Sequence, residues 1–169
     1  DGMTFGGTAT NVKVDTGGSL ELEKTTASGG SFNATALNAI DSTASIVVSG
    51  TTTLTSTTAK SVTLTGANDF GGTVNVVDAG ALTLNDVNAL TVAGKATGVT
   101  QIQAGTALTL GKLDITSDAI FVSGGSLDDT NAVVTVTGTT TLTAGNGGAI
   151  TLNTVSHVLT GDVTVAGAG

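Results

Sequence analysis

The hexapeptide Gly50-Thr51-Thr52-Thr53-Leu54-Thr55 occurs twice, returning unchanged as Gly138-Thr139-Thr140-Thr141-Leu142-Thr143, 88 residues later. The register holds beyond it. Val62-Thr63-Leu64 answers Ile150-Thr151-Leu152, and with one inserted residue Val74-Asn75-Val76 answers Val163-Thr164-Val165. A chain that reuses short apolar–polar–apolar segments at regular spacing stacks similar coils, each burying what its neighbour exposes.

Alternation with period two runs through the chain, as a half-buried strand requires. Clear cases are Val12-Lys13-Val14, Leu20-Glu21-Leu22, Leu82-Thr83-Leu84, Leu90-Thr91-Val92, Leu108-Thr109-Leu110 and Val134-Thr135-Val136. The polar member is usually Thr, whose branched side chain suits the outer face of a strand. Strand starts at Ile46, Leu54 and Val62 lie eight residues apart, as do those at Val74, Leu82 and Leu90. Ile46, Val74 and Ile102 are therefore 28 apart, and so are Leu54, Leu82 and Leu110.

This spacing predicts an all-β parallel β-helix, one solenoid domain over residues 1–169 with about six coils of about 28 residues and three short strands each. The 88-residue echo then measures three coils, and Leu54, Leu82 and Leu110 are expected to stack in one interior column. Residues 45–169 form the regular coils. Residues 1–44 are less regular, with Ala34 to Ile40 read as a short helix or a loop. Corners fall at Gly- and Asn-rich stretches such as Gly145-Asn146-Gly147-Gly148, which tolerate tight turns. Proline is absent, as a stack that needs its backbone N–H groups demands. Phe5, Phe32, Phe70 and Phe121 are assigned to the core.

Composition narrows the function. With 35 Thr and 25 Gly but no Arg, Trp, Tyr or Cys, the chain lacks the side chains that usually grip a substrate. A net charge of −8 disfavours nucleic acid and anionic membranes, and its scattered acids read as solubility. No apolar run approaches the roughly 18 residues of a membrane span. No leader pattern precedes Asp1, so the chain reads as a mature piece or an excised segment.

The single histidine, His157, excludes a His-paired nucleophile or a multi-His metal site built within one chain. It falls at the corner corresponding to Asn68-Asp69 and is expected to be a solvated turn residue. Asp128-Asp129 is the lone adjacent acidic pair, and neighbours on a strand face opposite sides, so no glycosidase-like carboxylate pair is expected. The calcium β-roll nonapeptide is absent, and Gly124-Gly125-Ser126-Leu127-Asp128-Asp129 reads as a turn. The rows Thr51-Thr53, Thr63-Thr65 and Thr139-Thr141 suggest a lattice-matching ice surface, but Asn75, Asn85, Asp114 and Glu21 interrupt them. Strand propensity accounts for the threonines more economically. The expectation is therefore no enzyme, and no catalytic, cofactor-binding or metal-binding residues.

The stretch Ala67-Asn68-Asp69-Phe70-Gly71-Gly72-Thr73-Val74-Asn75-Val76, followed by Gly80-Ala81-Leu82-Thr83-Leu84, resembles the strand repeats of large secreted bacterial exoproteins, the filamentous-haemagglutinin-like and autotransporter-passenger adhesins. The resemblance covers residues 45–169 and implies a right-handed parallel β-helix at the cell surface. That family's N-terminal secretion domain and outer-membrane barrel are not seen in this sequence. The expected function is a structural extracellular module of a bacterial surface fibre or adhesin. Its expected partners are itself, as a head-to-tail homopolymer or as neighbouring coils of a longer chain, and a host or matrix surface. Two alternatives stand beside it: a surface-layer lattice protein of β-sandwich domains, and a carbohydrate-binding or carbohydrate-cleaving β-helix. Neither terminus shows an amphipathic capping helix, so each end is expected to be covered by another copy or by further coils.

Overall fold

The computed structural model describes residues 2–57 and 59–167. In chain order the strands begin with β1 (Gly2–Ala9), β2 (Val12–Thr16), β3 (Ser19–Ala27), β4 (Phe32–Ala36), β5 (Ile40–Ser42), β6 (Ile46–Val48) and β7 (Thr52–Ser56). Next come β8 (Val62–Leu64), β9 (Asp69–Phe70), β10 (Thr73–Asp78), β11 (Leu82–Asp86), β12 (Leu90–Ala96), β13 (Thr100–Ala104) and β14 (Leu108–Ile115). The last are β15 (Ala119–Ser123), β16 (Leu127–Asp129), β17 (Val134–Val136), β18 (Thr140–Ala144), β19 (Ile150–Thr151), β20 (Val158–Leu159) and β21 (Val163–Gly167). Among the described residues there is no helix, and every strand pair is parallel. Uniform parallel pairing rules out the β-sandwich alternative, whose sheets are antiparallel.

Two sheets face each other. Sheet A stacks β1, β3, β5, β8, β11, β13, β15, β18 and β21; sheet B stacks β2, β4, β7, β10, β12, β14, β16 and β19. The chain visits them alternately, so one coil is one main strand in each sheet and the solenoid has about eight turns. Pairing across coils gives the coil length. Gly2 lies opposite Ser19, 17 residues on, and Thr140 lies opposite Val163, 23 on. The expected 28-residue coil with three full strands is therefore corrected to a shorter, two-sheeted one.

The predicted column fails with it. Leu54 belongs to the sheet-B column Val14–Ala34–Leu54–Val76, whereas Leu82 sits in sheet A between Val62 and Thr100. Leu110 returns to sheet B in a different column, above Val92. All three are buried, so the inward phase was right and the sheet assignment was not. The 34–40 stretch is no helix: β4 ends at Ala36 and a short corner leads to β5.

A third, short row is added beside the main sheets. In the first half it follows sheet A, through Gly7–Ala9, Thr25–Ala27, β6 and β9. In the second half it follows sheet B, through Gly94–Ala96, Leu113–Ile115, β17 and β20. The reversal explains the echo. Each strand from β1 to β10 has a counterpart eleven strands later, displaced by 87 to 90 residues and lying in the opposite sheet. The bulge repeats too. Register slips between Phe5 and Gly7 and again between Val92 and Gly94, with φ of 146° at Gly7 and 136° at Gly94. The echo is thus a duplicated module of nine half-turns, four and a half coils, and not three coils as expected. An odd number of half-turns carries the identical hexapeptides onto opposite faces: Thr52 begins β7 in sheet B, and Thr140 begins β18 in sheet A.

The interior is one continuous aliphatic column set. In sheet A, Leu64, Leu84, Ile102, Phe121 and Leu142 follow one another through the register, all buried. Phe32, Phe70 and Phe121 are fully buried and Phe5 packs against the core, as expected of core aromatics. Each fully buried aliphatic contributes about 1.5–3 kcal/mol before chain entropy is subtracted. Both hexapeptides also turn one hydroxyl inward without a partner, Thr52 Oγ1 and Thr140 Oγ1.

Corners are sealed by stacked glycines. Gly50 N–H donates to the Gly30 carbonyl one coil below, and Gly72 sits above Gly50 in turn. A Cβ on Gly72 would lie 2.5 Å from the Gly50 oxygen and 2.6 Å from its carbon, both backbone atoms that the ladder holds in place. Gly17, by contrast, has nothing within 4 Å of a Cβ. Gly72→Ala is expected to destabilise the fold by about 1–3 kcal/mol, while Gly17→Ala changes little. Urea denaturation of the two variants checks this, and equal midpoints would refute the stacked-corner account.

Candidate functional site

The residues with chemical potential are used by the fold itself, at the ends of the third row. In the first module Asn68 is fully buried just before β9. Its Oδ1 accepts the Ile46 N–H at 3.0 Å, and its Nδ2 donates to the carbonyls of Leu64 (3.3 Å) and Asn85 (2.9 Å). These bonds start β6 and tie three successive coils, since a buried backbone N–H must find an acceptor.

His157 occupies the equivalent place before β20. Its Nδ1 accepts the Val134 N–H at 3.1 Å, as Asn68 serves Ile46, and its Nε2 lies 2.9 Å from Asp129 Oδ2. The side chain is only 11% exposed, against 1% for Asp129. The expected solvated turn histidine is therefore corrected to a largely covered plug, although its match to the Asn68 corner holds. The acceptor role of Nδ1 assigns the neutral tautomer with the proton on Nε2. Both ring nitrogens are then occupied, leaving none to deprotonate a hydroxyl. A cation at Nε2 would need the proton on Nδ1, where the Val134 N–H already points.

Asp128 and Asp129 do face opposite sides, Asp128 exposed and Asp129 buried. Asp129 Oδ2 also accepts the Thr154 N–H at 3.0 Å. Burial pushes its carboxyl up, but the bonds from Thr154 and His157 outweigh that and hold it below the ordinary carboxylate range. Asp86 shows the opposite balance. It ends the first-module row, accepting the Phe70 N–H on Oδ2 and the Asn88 N–H on Oδ1, both at 2.7 Å. Burial dominates there and raises its carboxyl, against the pull of those two bonds and with a further push from Asp69.

The sequence marks Asn68 as a corner residue and Asp129 as half of an acidic pair, and gives neither of them, nor Asp86, a place inside the coil, yet a signal exists. Asp86 follows Leu82 and Leu84 in the inward phase, and Asp129 follows Leu127 in the same way. Among the described residues no group of three or more His, Asp or Glu is placed to hold a metal ion. The Gly124-Gly125 segment forms a corner in which Ser123 Oγ accepts the Gly125 N–H.

The outer faces carry the remaining polar side chains. On sheet B, Thr73, Thr91 and Thr109 lie side by side in register, then give way to Asp128. On sheet A, Asn85 lies beside Gln103 and Thr83 beside Gln101, with Ile120 and Val122 next. Asn85, Gln101, Gln103, Ile120 and Val122 line a shallow hollow there. The Thr row spans three coils before a carboxylate ends it.

One known family of repeats matches residues 9–77 and, again, 96–166, and is described as Repeats of unknown function (DUF5649). The chain belongs to this family. The two matches begin 87 residues apart and end 89 apart, the same displacement that relates β1–β10 to β12–β21. Each match thus covers most of one module, from β2 into β10 and from β13 into β21. No curated protein and no solved structure matches the chain.

The plug is open to substitution tests. His157→Asn is expected to keep most of the stability, because Asn68 does the same work in the first module. His157→Ala is expected to cost about 1–3 kcal/mol by leaving the Val134 N–H without an acceptor and Asp129 with the Thr154 N–H but no imidazole partner. Equal loss in both variants, by thermal denaturation, would refute the equivalence. The acid limb tests Asp129. Its folded-state value is depressed, so its contribution is full above the unfolded carboxylate range, near pH 3.9, and is lost as pH falls through the folded value. Asp129→Asn should flatten the loss of stability below about pH 4. An unchanged acid limb in a pH series of urea melts would contradict this.

Proposed function

We propose that this chain is a structural module of an extracellular bacterial surface fibre or adhesin, joined end to end to further coils of its own kind. The observation that carries the reading is the pair of unbroken parallel ladders closed over an aliphatic interior. Backbone hydrogen bonds between coils run along the rod axis, so an axial load is shared by two ladders and the core at every level. Paired strands also deny proteases the extended, unbonded segment they need. The polar groups suited to chemistry are spent on holding the third row in place, which favours a mechanical role over a catalytic one. The uncharged outer threonines and the amide-lined hollow suit contact with a matrix or host surface.

Electron microscopy with fibre diffraction of the concentrated protein tests the assembly. The expected result is filaments with a repeat of about 4.8 Å along the axis. A two-dimensional lattice, or dispersed single rods at every concentration, would overturn the reading. Labelling of intact cells with an antibody to the rod tests the address: signal is expected before lysis, and signal appearing only after lysis would place the chain elsewhere.

A further inference from the structure

The outer faces of this fold are polar, and β15 breaks the pattern. Among the described residues, Ile120 and Val122 are the only large aliphatics that the two main ladders pair in the outward phase; the others are polar or small. The fold does not ask for them. The equivalent strand of the first module, β4, carries Asn33 and Thr35 at the same two positions, and Thr serves a strand as well as Ile or Val does. Both aliphatic side chains are half-buried on this outer face.

What flanks the pair is equally specific. Gln101 and Gln103 lie beside Ile120 and Val122 on one side, and Thr141 and Thr143 on the other. Both glutamines are exposed, and neither amide has a protein partner among the described residues. The hollow they share with Asn85 measures about 140 Å³, below the roughly 300 Å³ of a pocket that encloses its ligand. A ligand therefore lies against this face. The first module has no such place: there Lys13 and Asp15 stand where Gln101 and Gln103 do, and they pair with each other at 2.8 Å.

Charge, hydrogen bonding and area select the occupant. The outward positions that pair from β8 to β18 on sheet A hold no charged side chain. Asp118, at the corner before β15, is engaged with the Thr139 N–H at 2.7 Å. An anionic ligand would meet a rod of net charge −8 with no cation to receive it, and a cationic one would be drawn to Glu21 and Asp41 lower on the same sheet. A primary amide both donates and accepts, as a hydroxyl does, so Gln101 and Gln103 match an uncharged ligand rich in hydroxyls. Ile120 and Val122 supply the apolar floor that the C–H face of a sugar ring covers. An extended peptide docks on sheet edges, where backbone groups are free, and a sheet face presents none. The five strands from β8 to β18, at about 4.8 Å spacing and about 17 Å long, offer roughly 400 Å², half of the ~800 Å² that a stable protein partner covers.

We infer that the outer face of sheet A around Ile120 and Val122 binds an uncharged polysaccharide, one sugar ring resting on the two aliphatics with its hydroxyls bonded to Gln101 and Gln103. This rests on the reading of the rod as a contact surface and names the chemistry that it contacts. The columns run along the rod axis, so the sugar chain continues over Thr141 on one side and Thr83 on the other. With no aromatic ring to stack on, a single site is weak. Rods joined end to end repeat it, and the assembly holds by avidity.

Native gels cast with soluble hydroxyethylcellulose, mannan or dextran, and with polygalacturonate as the anionic comparison, read binding as slowed migration. The unaltered protein is expected to be slowed in at least one neutral gel and not in polygalacturonate. Q101A/Q103A removes two hydrogen-bonding groups and is expected to raise the dissociation constant about tenfold. I120N/V122T, which installs the residues of β4, is expected to weaken binding to a similar extent, and N33A/T35A on β4 to leave it unchanged. Circular dichroism verifies that each variant keeps its strand signal. No slowing in any neutral gel, slowing in polygalacturonate as strong as in the neutral gels, or Q101A/Q103A and I120N/V122T binding as the unaltered protein does would overturn the site. Binding to immobilised gelatin that those two variants lose, with no slowing by polysaccharide, would give the face to a protein and overturn it too. Electron microscopy of the same samples keeps the two readings apart: filaments without slowing leave the fibre standing and remove the sugar site, and slowing without filaments does the reverse.

Discussion

Each coil gives its backbone N–H and C=O groups to the coils on either side, and the rest of the structure follows from keeping that exchange unbroken. Parallel pairing on both sheets leaves no room for a missing donor, so proline is absent throughout. At the corners the exchange brings backbone onto backbone, and Gly50 and Gly72 are small because a Cβ would meet the carbonyl below. Where a row of strands must stop, a side chain takes the next strand's place. Asp86 receives the Phe70 N–H, and Asn68 and His157 receive those of Ile46 and Val134. Buried polar groups that elsewhere signal catalysis here complete a ladder.

The odd half-turn count is the second organising constraint. It places two equivalent modules on opposite faces of one rod, so equivalent outward positions such as Asp41 and Asp128 point to opposite sides. The inward phase stays apolar in both modules because it fills a shared core. The outward phase is free to diverge: Asn33 and Thr35 of β4 become Ile120 and Val122 of β15. A rod of this kind separates what holds it together from what it shows to its surroundings.

Much of this was legible in the letters. Period-two alternation located the apolar strand triplets, and the turn residues marked most corners. The 88-residue echo announced the repeat, and His157 was matched to Asn68 before its neighbours were known. The coil length was not legible. Alternation reports whether a side chain points in or out, and it is the same in either sheet: β7 and β18 share one burial pattern on opposite faces. Spacings of eight and twelve residues therefore fit three strands in a long coil as well as two in a short one. The polar plugs escaped for a related reason. An Asp or His at a strand end looks like a turn residue until the coil above it is in place, and only the inward phase of Asp86 and Asp129 hinted otherwise.

By itself, then, the sequence determined the strand identity, the inward face of each strand, the stacking of coils and the existence of a repeated unit, because these depend on side-chain polarity within a few residues. Only the tertiary structure decided which sheet each strand joins, that a module is four and a half coils, and that buried Asn68, Asp86 and Asp129 and half-buried His157 are partners of the backbone. Those depend on which residue, some twenty positions away, lies directly above or below. Across that distance the pairing is chosen by how the closed coil packs, not by the local pattern of the chain.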